Sequence, residues 1–146
     1  MEELFKIPIP LYRAKLHVFF GTPEACAEAM RKENVPELEI EEWKKNTKGF
    51  EGMYHEDNDF RLLWITEVPA TVGRYGELAH EIEHAVFYLL NSRGLKHTEE
   101  SDEAYSYLTG FLFEEIDSLI VELRDKAEKD GEDNNTRKDS EQGEQL

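Results

Sequence analysis

Residues 11–20, LYRAKLHVFF, alternate in polarity. Tyr12, Ala14, Leu16, Val18 and Phe20 fall on one face and Arg13, Lys15 and His17 on the other, which predicts a half-buried strand. Gly21 ends it. Thr22-Pro23-Glu24 then reads as N-cap, first-turn proline and first-turn acid of a helix running to about Glu33, stopped by Val35-Pro36. An acidic stretch, 37–42, leads to two predicted strands, 49–55 and 59–67, joined by the turn-prone Asp57-Asn58. After Pro69 the period changes. Leu78, Ile82, Ala85, Val86 and Leu89 form one stripe at helical spacing, which predicts a long helix over about 72–92 with Gly94 just past its end. A second long helix, about 99–126, carries the stripe Tyr105, Leu108, Leu112, Ile116, Leu119 and Leu123. Gly110 lies inside it, where glycine costs about 1 kcal/mol relative to alanine, so a close helix approach is expected there.

These elements predict an α+β domain, a small antiparallel or mixed sheet packed on two long helices. From residue 129 onward, KDGEDNNTRKDSEQGEQL holds no apolar residue before the terminal leucine, too little to offset the entropy of ordering. The expected organisation is one packed domain over 1–127 and a disordered acidic tail over 128–146. With 39% hydrophobic residues and 11% aromatics among 146, the packed part has enough apolar material for a core without disulfide staples. A formal net charge of −16 argues against unaided nucleic-acid binding, because phosphate recognition depends on Lys and Arg. No run of apolar residues is long enough for a membrane span, and the N-terminus lacks a basic segment followed by an apolar one. One cysteine, Cys26, cannot form an internal disulfide, so a reducing, cytoplasmic setting is the expectation.

Within the first long helix stands His80-Glu81-Ile82-Glu83-His84. Histidines at i and i+4 project side by side from one helix face, so their imidazoles can share a metal ion. Glu81 follows His80 directly, which suits it to be a base acting on metal-bound water rather than a ligand. A catalytic zinc site usually takes three protein ligands, so the third must come from elsewhere.

Eighteen residues separate His84 from Glu103, which stands in Ser101-Asp102-Glu103-Ala104-Tyr105 at the start of the second helix. With this spacing the chain resembles the gluzincin branch of the zincin metallopeptidases, in which HExxH is followed about that far downstream by a glutamate on a second helix. The resemblance implies a minimal zincin-like fold, with His80, His84 and Glu103 as ligands to Zn²⁺ and Glu81 as general base. The branch with a third histidine six positions after the second is excluded, since that position is Leu90. The chain also looks like small zincins that include uncharacterised phage or prophage proteins. In that fold the strand before the active-site helix can pair its edge with an extended peptide, and residues 59–67 occupy that place. At 146 residues the chain is expected to be without the second domain that completes the cleft of larger gluzincins.

Tyr107, one turn beyond Glu103, is the candidate donor to the oxyanion of amide hydrolysis; the alternative is a core or rim residue. His97 lies in the connection between the helices, and His17 and His55 lie on predicted strands without ligand-like spacing. The leading expectation is a zinc-dependent hydrolase, a metallopeptidase acting on a peptide or protein substrate. The alternative is a non-catalytic, zinc-stabilised binding protein in which His97 or Asp102 closes the coordination sphere. A third reading, carried by charge alone, is an acidic protein that occupies a basic partner's nucleic-acid site.

Overall fold

The computed structural model of the chain describes residues 1–143. Strand β1 spans Phe5–Ile9, a 3-10 turn follows at Pro10–Tyr12, and β2 spans Ala14–Phe20. Helices α1 (Pro23–Lys32) and α2 (Glu37–Asn46) lead to β3 (Gly52–Asp57) and β4 (Phe60–Ile65). Helix α3 (Val72–Ser92), a 3-10 turn at Glu99–Ser101 and α4 (Asp102–Gly143) complete the order. The four strands form one mixed sheet in the order β1-β2-β4-β3, with β2 and β4 parallel and the outer pairs antiparallel. The fold is α+β.

Helices cover both faces of this sheet. On one, Ile7, Leu16, Val18, Leu63 and Ile65 pack against the apolar stripes of α3 and α4, including Leu78, Ile82, Val86, Leu108, Leu112 and Ile116. On the other, Phe19, Leu62 and Trp64 pack against Cys26 and Met30 of α1 and Ile40 and Trp43 of α2. Trp43 and Trp64 meet edge to face at 5.6 Å. The half-buried reading of β2 is therefore corrected: His17 is only 3% exposed, and its neighbour Phe19 is fully buried. The cover is α2, formed by the stretch 37–46, whose acidic residues surround an apolar pair, Ile40 and Trp43, at helical spacing.

Residues 11–13 are not strand. Pro10 opens the 3-10 turn and Arg13 closes it with a left-handed φ of 49°. The expected β3–β4 hairpin forms, with its two-residue turn one position later than Asp57-Asn58: Asp57 pairs with Phe60, and Asn58, at φ 51°, turns with Asp59. Thr22 and Thr71 cap α1 and α3 by accepting from the backbone N–H of Ala25 and Arg74, at 3.2 and 3.3 Å. Gly94, φ 80°, ends α3 as expected, with Leu95 N–H donating to Leu90 O at 3.0 Å.

At Gly110 no close approach exists, for a Cβ placed there meets nothing within 4 Å. Helix α4 also continues through residues expected to be disordered, reaching Gly143 with exposed side chains over 125–138. Once nucleated by its packed half, a helix adds one bond per residue, and no proline interrupts this one. Residues 144–146 of the expected tail lie outside the described residues. Among the described residues, no helix is long and apolar enough to cross a membrane.

Candidate functional site

Helix α3 buries Leu78, Ile82, Ala85, Val86 and Leu89, which turns the stripe of His80, His84 and Tyr88 outward on its flank toward β3. His80 and His84 are exposed, with their Nε2 atoms 3.0 Å apart and their rings edge to face at 4.6 Å. One turn on, Tyr88 lies 6.3 Å from the His84 ring and stacks at 5.9 Å on Tyr54 of β3. The stripe therefore runs along the free edge of the sheet.

Glu81 is 8% exposed, and its Oε2 accepts a 2.6 Å hydrogen bond from the backbone N–H of Tyr54. The sheet register explains why that donor is available. Thr66 N–H donates to Glu51 O at 2.9 Å, so on β3 the alternate residues Gly52, Tyr54 and Glu56 turn their main-chain groups away from β4. Gly52 leaves room for the carboxylate stem: a Cβ there would lie 3.5 Å from Glu81 Cγ and 3.4 Å from Trp64 O. Burial pushes the Glu81 carboxyl above its ordinary pKa, against the Tyr54 N–H and the positive potential of His84 and His80. The result is a carboxylate with raised proton affinity, held beside two converging imidazoles.

The two imidazole nitrogens are ligands of the kind a borderline-soft divalent ion takes, two of the three that a catalytic zinc site usually has. Tetrahedral zinc with nitrogen ligands at about 2.05 Å holds those nitrogens about 3.3 Å apart, close to the separation of the two Nε2 atoms. Among the described residues no group of three or more His, Cys, Asp or Glu side chains is assembled around a common point. Glu103 is exposed in the first turn of α4. Thr109 of α4 stands across from Glu83, donating to its Oε1 at 3.3 Å, and Glu103 lies six residues before it, about 9 Å along the helix axis. The structure brings His80, Glu81 and His84 together and leaves Glu103 apart.

Tyr107 also lies apart. It is exposed on the α4 flank that faces Ile9, Pro10 and Leu11, whereas Thr109 marks the flank toward α3. His97 and Asp102 bind each other, Nε2 to Oδ1 at 2.8 Å, with the imidazole stacked on Tyr105 at 4.2 Å. His55 pairs with Glu39 at 2.9 Å, and His17 Nδ1 donates to Arg61 O at 3.0 Å. The strand expected to offer its edge, residues 59–67, is corrected as well. β4 is paired on both sides, by β2 and β3, and the free edge beside α3 belongs to β3.

Sequence reasoning missed Tyr54, Gly52 and Tyr88. Tyr88 carries a readable signal, since it stands four residues after His84 on the same stripe. Tyr54 and Gly52 carry none, because their roles follow from strand order. No family model matches the chain, and neither a curated protein nor a solved structure matches it.

Proposed function

We propose that the chain is a zinc-dependent hydrolase, a metallopeptidase in the manner of the gluzincins it resembles, with His80 and His84 as metal ligands and Glu81 as general base. The observation that carries this reading is the 3.0 Å approach of the two Nε2 atoms beside a buried carboxylate. Zinc, when bound, polarises a carbonyl oxygen and lowers the pKa of its water toward about 7.

The chain's own residues supply the rest. The Tyr54 N–H holds Oε2 of Glu81, which leaves Oε1 to take a proton from the attacking water and pass it to the leaving amine. Burial favours this role, because desolvation raises the proton affinity of the carboxylate. An extended peptide is the substrate that fits best, since no strand pairs with the outer edge of β3, whose outward main-chain groups, apart from the Tyr54 N–H held by Glu81, lie beside the histidines.

Replacing Glu81→Gln separates metal binding from chemistry. The variant is expected to keep the zinc content of the parent by elemental analysis while peptide hydrolysis falls by about 10²-fold or more. Hydrolysis at the parent rate would overturn the assignment of Glu81.

A further inference from the structure

We infer that the groove between the free edge of β3 and the C-terminal half of α3 is a subsite for a basic side chain, lysine or arginine, of the bound peptide. This deepens the hydrolase reading and rests on it. The groove is a cavity of about 540 Å³ whose walls include Asn46, Tyr54, Glu56, Tyr88, Asn91 and Ser92. It is continuous with the site, because Tyr88 stacks on Tyr54 and lies one turn beyond His84. That turn is about 6 Å of helix, and an extended peptide advances about 3.3 Å per residue, so the subsite receives a side chain one or two residues from the cleaved bond.

Several features select a cation. No lysine or arginine lines the cavity. Glu56 contributes a carboxylate, which accepts from Tyr54 Oη at 3.0 Å. Two arginines adjoin the groove from outside its lining: Arg61, 4% exposed, pairs with Glu56 at 3.4 Å, and Arg93 donates to Ser92 Oγ at 3.4 Å. Helix α3 ends at Ser92, so its C-terminal carbonyls add partial negative charge at the far end. The half-exposed Tyr88 ring, stacked on Tyr54, supplies an aromatic surface in the lining that attracts a cation. Asn46 and Asn91 offer amide oxygens as acceptors. An acidic side chain would meet Glu56 and the helix terminus, and an apolar one would strip water from the amides without replacing their hydrogen bonds.

The test uses fluorogenic peptides that carry lysine, norleucine or glutamate at each of the positions flanking the cleaved bond. It reads hydrolysis by the full chain, and binding by anisotropy to the zinc-loaded Glu81→Gln protein. Lysine is expected to exceed norleucine about tenfold at one position, with glutamate weakest. Both Tyr88→Leu and Glu56→Gln are expected to bring the lysine-to-norleucine ratio close to one, with thermal melts confirming that each variant folds. Hydrolysis without discrimination among the three peptides overturns the subsite alone. Lysine-selective binding without hydrolysis of any peptide overturns the hydrolase reading and supports the subsite, and absence of both overturns both.

Discussion

His17 sits in the middle of β2 with Nδ1 donating to the Arg61 carbonyl, under the cover of α1 and α2. Burial is the largest influence on its imidazole and holds its pKa below the ordinary 6.5, against the backbone hydrogen bond that favours the charged form. In the unfolded chain the ring takes up a proton near pH 6.5; in the folded chain it resists until lower pH. The linked stability is therefore complete above about pH 6.5 and is lost as pH falls toward the folded pKa. Urea unfolding between about pH 8 and pH 5 should show this decline, and His17→Gln should flatten it; an equal slope in the variant would contradict the assignment. At this scale the sequence was legible only where chemistry is local. His80, Glu81 and His84 lie within one stretch of helix, so their juxtaposition follows from helical geometry alone. The burial of His17 and the Tyr54 bond to Glu81 depend on what packs across the sheet, which spacing along the chain does not encode.

The two long helices were the most legible elements, since α3 falls on Val72–Ser92 and the stripe of α4 packs as its period predicts. β1 and α2 were not. β1 contains Pro8, which an edge strand tolerates but which weakens a strand pattern, and α2 hides Ile40 and Trp43 among charged residues. Gly110 is where reading and structure diverge in energy. With open space around the position of its missing Cβ, the glycine loses backbone entropy on folding without a packing return. Gly110→Ala is expected to stabilise the protein by about 0.5–1 kcal/mol in thermal or denaturant unfolding. At Gly94, whose φ is 80°, the same replacement is expected to destabilise. Destabilisation by Gly110→Ala would mean that the helix approaches a neighbour at this position after all.

The whole molecule divides its work between layers. Helices α1 and α2 hold β2 and β4 from behind, α3 and α4 pack on the front, and the free edge of β3 is left beside the imidazole pair. In the proposed hydrolase, that edge and the C-terminal half of α3 would be the wall against which a peptide lies. The sequence disclosed the helix that bears the site and not the wall, because which strand lies at the edge is a property of the assembled sheet. The central claim is that His80 and His84 hold one metal ion. Calorimetric titration of Zn²⁺ into the metal-free chain, beside His80→Ala and His84→Ala, tests it most directly. The account predicts one ion per chain, with binding weakened at least about 10²-fold when either imidazole is removed. A parent chain that takes up no zinc, or a His80→Ala chain that binds it as tightly as the parent, would contradict it.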